Sequence, residues 1–154
     1  MIQLHTHSVE ETKAFGERLA NQLREGDVLL LEGDLGAGKS ELTRGIARGL
    51  GIAGYVTSPS FTILQVHDNG RLPLYHFDWY RLSGAEELYE LSMDEYLYDR
   101  GIAVVEWPSM AADAIPDRHL KIHIEVRGES ERTFTLYPSG NFHALDVHLL
   151  EGEA

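Results

Sequence analysis

The chain has 154 residues, of which 43% are hydrophobic and 25% are charged, and its formal net charge at pH 7 is −12. This composition predicts one globular domain with a true core, while the strong negative charge argues against direct binding to DNA or RNA phosphates. The chain lacks cysteine, which excludes disulfides and thiolate metal sites, and its apolar runs and N-terminus predict neither a membrane span nor a signal peptide.

The first third of the chain predicts a helix, a buried strand and a second helix. Ser8 begins a capping box, and the apolar spacing that follows predicts a helix to about Arg24. The apolar run at 27–32 predicts a buried strand. A second helix should begin near Lys39 and end before residues 49–54, where glycines cluster.

The rest of the chain combines hairpins with shorter helices. Extended runs at 61–67 and 72–79 flank an Asn-Gly pair, which favours a tight hairpin turn. Four further elements are predicted: a helix at about 85–99, a buried strand at 102–105, a short helix from Pro108, and a second hairpin formed by 119–127 and 133–137. Buried strands that alternate with helices predict one α/β domain over residues 1–154, with a mainly parallel central sheet and antiparallel hairpin additions.

A glycine-rich segment follows the first buried strand. Residues 33–40 read Gly-Asp-Leu-Gly-Ala-Gly-Lys-Ser and match the P-loop pattern G-x-x-x-x-G-K-[ST] at every fixed position. Glycines let backbone N–H groups approach phosphates, and the next helix presents its positive end to the same anion. The alternative is a glycine-rich turn with an incidental Lys-Ser pair, but the strand before and the helix after are what a P-loop requires. The motif predicts a three-layer fold like that of P-loop NTPases.

The motif assigns a chemical role to each of its residues. Lys39 should reach the β and γ phosphates as a point charge, and the Ser40 hydroxyl is a candidate ligand for Mg²⁺. The predicted phosphate-binding residues are Gly33, Asp34, Leu35, Gly36, Ala37, Gly38, Lys39 and Ser40.

A second acidic group is expected at the end of a neighbouring strand, where P-loop proteins hold magnesium directly or through water. Glu106 ends the apolar strand that begins at Ile102 and therefore fits this position. The alternative is a solvated strand end. With a P-loop in the same chain, the sequence favours Ser40 and Glu106 as the metal ligands.

Two other segments are candidates for the reaction itself. Residues 57–61, Thr-Ser-Pro-Ser-Phe, lie where P-loop proteins often carry a switch that senses the γ-phosphate, although an ordinary Ser-Pro turn is the alternative. Residues 76–81, His-Phe-Asp-Trp-Tyr-Arg, end a strand whose alternation places His76 and Asp78 on one face. Asp78 could orient a water molecule, or the segment could be a salt-bridged strand end.

Two motifs that are absent from the sequence help to predict which nucleotide binds and which reaction follows. None of the three lysines, Lys13, Lys39 and Lys121, lies in the Asn/Thr-Lys-x-Asp motif that reads guanine, so ATP is the better prediction. Clustered arginines typical of a kinase lid are not visible, which favours an ATPase. A small-metabolite kinase and a nucleotide-dependent interaction module without required hydrolysis stay open as alternatives.

Four segments together, 33–40, 57–61, 76–82 and 106–108, resemble in order and spacing the TsaE family of bacterial P-loop ATPases. The resemblance implies a cytoplasmic protein that acts with TsaD-like and TsaB-like proteins. That complex places a threonylcarbamoyl group on the adenosine beside the anticodon of tRNAs that read codons starting with A. ATP binding and hydrolysis would reset the complex, and tRNA would be contacted only through it.

The resemblance also implies roles for individual residues. Its catalytic residues are Lys39, Asp78 and Glu106, and its magnesium ligands are Ser40 and Glu106. Its switch loop consists of Ser58, Pro59, Ser60 and Phe61. It adds Thr12, Glu41 and Arg132 to the nucleotide-binding residues. The chain departs from the family pattern at Ser60, where Thr is usual, and at Ser92, where Gly is frequent. No arginine finger is evident in the P-loop or switch segments, which predicts weak hydrolysis by the isolated protein and faster hydrolysis in the complex.

Overall fold

A computed structural model of the chain describes residues 1–34, 36–54, 56, 59 and 62–152. The strands in this part of the chain are β1 (Ile2–Thr6), β2 (Val28–Glu32), β3 (Leu64–His67), β4 (Leu74–Asp78), β5 (Ile102–Glu106), β6 (His119–Val126) and β7 (Arg132–Ser139). The helices are α1 (Val9–Ala20), α2 (Lys39–Gly49), α3 (Ala85–Glu90) and α4 (Val147–Glu151), with 3-10 helices at Asp94–Tyr98 and Pro108–Ala114. No helix among these residues is both long enough and apolar enough to cross a bilayer.

The strands form one sheet in the order β1-β7-β6-β2-β5-β4-β3. The four central strands β6, β2, β5 and β4 are parallel, whereas β7, β1 and β3 pair antiparallel with their neighbours. This confirms the predicted α/β fold with a mainly parallel centre and antiparallel additions. The carboxyl ends of the parallel strands meet at one edge, which is where open α/β sheets bind ligands.

Alternate residues of the buried strands pack on opposite faces of the sheet. Leu29 and Leu31 of β2 join a core formed with α1 and α2, whereas Val28 and Leu30 join a second core under α3 and the two 3-10 helices. The fold therefore has three layers. Because both faces of β2 and β5 are covered, these strands read as continuous apolar runs in the sequence.

The first helix begins as predicted but ends earlier. Ser8 caps α1, and its hydroxyl oxygen accepts a hydrogen bond from the Glu11 amide at 3.1 Å. The Glu11 carboxylate accepts from the His7 amide at 2.9 Å, one residue before the cap. The helix ends at Ala20 because the chain then turns towards β2, where the Arg24 amide donates to the buried Asp27 carboxylate at 2.8 Å.

The predicted tight turn between β3 and β4 is wrong. His67 pairs with Leu74, so the connection spans residues 68–73. Tertiary contacts hold this longer loop over the end of α2: the Arg71 amide donates to the Leu50 carbonyl at 2.6 Å, and its guanidinium donates to the Ala20 carbonyl at 2.8 Å. The Asn-Gly pair marks a loop here, but the contacts of Arg71 with distant residues set the loop length.

The predicted single helix at 85–99 is also wrong, since it divides into α3 and the 3-10 helix Asp94–Tyr98. The break follows from the backbone of Ser92, whose φ is +56°. This left-handed conformation cannot continue an α-helix and is costly for residues other than glycine.

Strand β1 is an element that the amino-acid pattern does not predict. Its residues, Ile2–Thr6, pair antiparallel with β7 at the edge of the sheet. Of these five residues only Leu4 and Thr6 are buried, so the segment carries a short and weak alternation.

Candidate nucleotide-binding site

The loop that joins β2 to α2 has a backbone that requires glycine at two of the predicted positions. Gly36 and Gly38 have φ values of +82° and +106°. At Gly33 the requirement is space, because an added Cβ would lie 3.0 Å from the Ile124 carbonyl oxygen. The loop therefore adopts a conformation that other residues would strain. Leu35 of the predicted set lies outside the described residues.

Arg132, the first residue of β7, ties this loop to the β6–β7 hairpin. Its Nε donates to the Ala37 carbonyl at 2.8 Å, and its Nη1 donates to the Gly128 and Glu131 carbonyls at 3.1 and 2.9 Å. The guanidinium thus connects the P-loop backbone to a rigid strand pair. No local pattern in the sequence predicts this contact, and only the family resemblance indicates a place for Arg132 near the nucleotide.

Lys39 begins α2 and turns back over the loop. Its Nζ donates to the Gly33 carbonyl at 3.0 Å and lies 3.7 Å from the centroid of the Trp107 ring, an arrangement that favours a cation. Trp107 follows β5 directly with a left-handed φ of +58°, and its ring packs against Tyr80 with a centroid separation of 4.9 Å. The aromatic pair therefore borders the lysine at the carboxyl edge of the sheet.

The electrostatics of Lys39 show which charged groups the fold brings near it. The pKa of Lys39 is lowered overall, because the effect of burial is the largest. The negative charges of Glu106, Asp78 and Asp34 act in the opposite direction and offset part of this shift. These carboxylates come from the ends of β5 and β4 and from the P-loop. The three predicted catalytic residues Lys39, Asp78 and Glu106 therefore lie within one charged neighbourhood.

The two strand-end carboxylates are neighbours in the sheet. Asp78 and Glu106 are register partners in the parallel pair β4–β5. Both are buried, and Glu106 Oε2 lies 2.6 Å from His76 Nε2, while Asp78 Oδ1 accepts from the Tyr80 amide at 2.9 Å. The sequence placed His76 and Asp78 on one face, but it could not show the contact with Glu106 because strand order is not visible in the chain pattern.

The oxygen donors at this edge suit a hard divalent cation. Glu106 and Asp78 supply carboxylates, and Ser40 in the first turn of α2 supplies a hydroxyl, which are ligands that Mg²⁺ accepts. No cluster of three or more His, Cys, Asp and Glu side chains that could hold a metal occurs in the described part of the chain. Magnesium in nucleotide sites needs fewer protein ligands, because phosphates and water complete its shell.

Thr12 and Glu41 lie where α1 and α2 pack together. Thr12 Oγ1 is buried 2.8 Å from Thr6 Oγ1, and Glu41 forms ion pairs with Lys13 at 3.5 Å and with Arg44 at 2.5 Å. Their contact with a nucleotide stays a prediction.

The predicted switch loop is described only in part. Pro59 is buried, and its carbonyl oxygen accepts from the amides of Thr62 and Ile63 at 3.1 and 2.9 Å. Ser58, Ser60 and Phe61 lie outside the described residues, so their role as a switch stays a prediction.

A cavity of about 440 Å³ opens beside Lys39 and extends across the carboxyl ends of β2 and β6. Its walls include Glu32, Gly33, Asp34, Lys39, Trp107, Pro108, Ser109, His123 and Glu125. The volume is in the range of small-molecule sites, and its position at the P-loop matches the position predicted from the motif.

The chain is similar in sequence to known proteins of one family. The family model described as threonylcarbamoyl adenosine biosynthesis protein TsaE matches residues 6–134. The chain is 44% identical over 140 residues to the tRNA threonylcarbamoyladenosine biosynthesis protein TsaE of Bacillus subtilis. The alignment covers 91% of this chain and 87% of that protein. The protein of the same name from Treponema pallidum is 37% identical over 131 residues, covering 85% and 96%.

A solved structure is also similar over most of the chain. The crystal structure of YdiB from Bacillus subtilis aligns with a TM-score of 0.79 and 41% sequence identity, covering 91% of this chain and 86% of that one. Identity at this level extends the likeness beyond the fold to the family. The glycine-bearing loop, Lys39 beside it and the neighbouring carboxylates of Asp78 and Glu106 thus occur in a chain that belongs to the TsaE family.

Proposed function

We propose that this chain is a magnesium-dependent ATPase that serves the biosynthesis of threonylcarbamoyladenosine in tRNA. One observation carries the proposal: a glycine-bearing loop after β2 places Lys39 beside the strand-end carboxylates of Asp78 and Glu106. A phosphate chain bound by the loop would bring negative charge to the lysine, and a cation would bring positive charge to the carboxylates. The site therefore supplies complementary groups for both halves of a magnesium–triphosphate complex.

In this proposal each residue has a defined task. Backbone N–H groups of residues 33–40 bind the phosphates, and Lys39 exchanges its hydrogen bond to Gly33 for oxygens of the β and γ phosphates. Ser40 and Glu106 would hold Mg²⁺, which neutralises charge that develops on the phosphate oxygens. Asp78 orients a water molecule and accepts its proton as the water oxygen bonds to the γ-phosphorus. The bond from that phosphorus to the leaving oxygen breaks, and ADP and inorganic phosphate are released.

The cellular role is proposed from the family and from the charge of the chain. The relatives are named for tRNA threonylcarbamoyladenosine biosynthesis. A chain with a net charge of −12 is poorly suited to grip tRNA by itself, which supports action through partner proteins of the TsaD and TsaB kind in the cytoplasm. ATP binding and hydrolysis would reset that complex, and the isolated chain would hydrolyse ATP slowly.

The variant Glu106→Ala tests this proposal, with Glu90→Ala as the matched control because Glu90 is an exposed carboxylate on α3. Binding of ATP, release of phosphate and tRNA modification are measured with TsaD-like and TsaB-like proteins present. We expect Glu106→Ala to bind ATP, to release phosphate at least a hundredfold more slowly and to lose tRNA modification, while Glu90→Ala behaves like the wild type. Modification that survives without hydrolysis would favour the interaction module, and phosphate transfer to a metabolite would favour the kinase.

A further inference from the structure

His76 forms a buried contact with the acidic residue at the end of the adjacent strand. Its side chain is 1% exposed and that of Glu106 is 6% exposed, and the Nε2–Oε2 distance is 2.6 Å. The two residues lie diagonally in the parallel pair β4–β5, because His76 pairs with Val104 and Asp78 pairs with Glu106. The sheet therefore fixes the histidine beside the carboxylate.

The hydrogen-bond partners of the two ring nitrogens of His76 indicate that Nε2 carries a proton. His76 Nδ1 is buried and has no hydrogen-bond partner within the described residues. An ionised carboxylate only accepts hydrogen bonds, so the proton lies on Nε2 and is donated to Glu106 Oε2. Nδ1 gains no hydrogen bond in return within the described structure, and leaving this buried polar atom without a partner costs free energy.

This arrangement holds one of the two oxygens of the Glu106 carboxylate in place. Oε2 is engaged by His76, whereas Oε1 has no hydrogen bond to any residue that the structure describes. The imidazole donor fixes the orientation of the Glu106 carboxylate through this one oxygen. Partners of this kind commonly orient metal-binding side chains and raise metal affinity.

We propose that His76 is a positioning residue that orients the Glu106 carboxylate so that Oε1 can bind the magnesium ion of the nucleotide complex. The inference rests on the proposed function, because it concerns the same site. His76 itself contacts neither the nucleotide nor the metal in this account.

Two substitutions separate positioning from packing. His76→Phe keeps a planar ring but removes the donor, and His76→Gln keeps an N–H donor near the position of Nε2. His67→Phe is the matched control, because His67 lies on the neighbouring strand β3 and its own Nε2 has no partner in the described structure. The readout is the Mg²⁺ concentration that gives the half-maximal increase in affinity for a fluorescent ATP analogue.

We expect His76→Phe to raise this Mg²⁺ concentration tenfold or more, with less than a twofold change in nucleotide affinity when Mg²⁺ is absent. His76→Gln should stay within threefold of the wild type, and His67→Phe should match it. An unchanged Mg²⁺ midpoint in folded His76→Phe would overturn the inference, as would equal shifts in the Phe and Gln variants. If the wild-type protein binds no nucleotide with Mg²⁺, the proposed function itself fails.

A measurement on the unmodified protein keeps the inference testable if His76→Phe does not fold. Nitrogen-15 NMR of labelled histidine reports which ring nitrogen of His76 carries the proton. We expect a proton on Nε2, both in the protein alone and with the magnesium–nucleotide complex bound. A proton on Nδ1 with a bare Nε2 would overturn the inference, because the ring could then donate nothing to Glu106.

Discussion

The Nζ of Lys39 lies 3.7 Å from the centroid of the Trp107 ring while it donates a hydrogen bond to the Gly33 carbonyl at 3.0 Å. Both contacts satisfy a buried ammonium group that would otherwise lie unpaired. A bound triphosphate offers the same group stronger, charge-assisted hydrogen bonds. Nucleotide binding should therefore withdraw the cation from the indole ring.

This exchange predicts a fluorescence signal from one of the two tryptophans. Addition of ATP with Mg²⁺ should change the emission of the wild-type protein, because the charge over the Trp107 ring moves. Trp107→Phe should abolish the change, and Trp79→Phe should keep it, since Trp79 is fully buried in the core on one face of the sheet. A nucleotide response that persists in Trp107→Phe would contradict this assignment.

The contact of Arg132 with the P-loop predicts a loss of nucleotide affinity on mutation. Arg132→Ala removes the donor to the Ala37 carbonyl and frees the loop from the β6–β7 hairpin. We expect an affinity about tenfold weaker, the equivalent of ~1.4 kcal/mol in binding free energy, by isothermal titration calorimetry. Arg127→Ala is the control, since Arg127 lies on the same hairpin and forms an ion pair with the half-buried Glu125 at 2.9 Å. Equal affinities for Arg132→Ala and the wild type would show that the loop needs no such support.

Asp27 predicts a stability effect at the opposite end of β2. Its buried carboxylate accepts from Arg118 Nη2 at 2.8 Å and lies 2.7 Å from His143 Nε2. Asp27→Ala leaves these partners unpaired, so the free energy of unfolding, measured by urea denaturation, should fall by about 2–3 kcal/mol. This loss is smaller than that for breaking a fully buried ion pair, because the Arg118 side chain is 40% exposed.

The control for Asp27→Ala is Glu25→Ala. Glu25 pairs with Arg100 on the surface, where both side chains are more than half exposed. Exposed ion pairs contribute little to folding stability, so Glu25→Ala should change the free energy of unfolding by less than about 0.5 kcal/mol. A loss below about 1 kcal/mol for Asp27→Ala would mean that water replaces the carboxylate at this site.

Close packing of α1 on α2 predicts a second stability effect. A Cβ added to Gly45 would lie 2.2 Å from the Lys13 carbonyl oxygen, so Gly45→Ala forces the helices apart. The clash should exceed the gain of about 1 kcal/mol in helix propensity and lower the free energy of unfolding by about 2 kcal/mol. Gly84→Ala is the control, since an added Cβ there meets nothing within 4 Å. Thermal unfolding would contradict the packing argument if Gly45→Ala melted at or above the wild-type temperature.

Local signals predicted the elements that position the site. The capping box at Ser8, the buried strands before Gly33 and Glu106, and the P-loop pattern itself depend on residues that are close in sequence. Their physical causes, which are helix capping, burial of both sheet faces and glycine geometry, are visible in a short window of the chain.

Contacts between distant segments set the features that the sequence did not predict. The loop at 68–73 is long because Arg71 reaches the carbonyls of Leu50 and Ala20, and no local pattern encodes that reach. The contact of His76 with Glu106 requires β4 beside β5, which only the folded sheet provides. The helix break at Ser92 depends on the left-handed backbone of this residue. A serine does not by itself indicate such a conformation in the sequence.

The proposed function depends on binding of the ATP phosphates by residues 33–40. A crystal structure with a non-hydrolysable ATP analogue and Mg²⁺ would show this binding. The predicted result is a triphosphate enclosed by the loop, with Lys39 Nζ moved from the Gly33 carbonyl to the β and γ phosphate oxygens. The proposed function is contradicted if, at saturating analogue, the loop holds no phosphate and Lys39 still contacts Gly33 and Trp107.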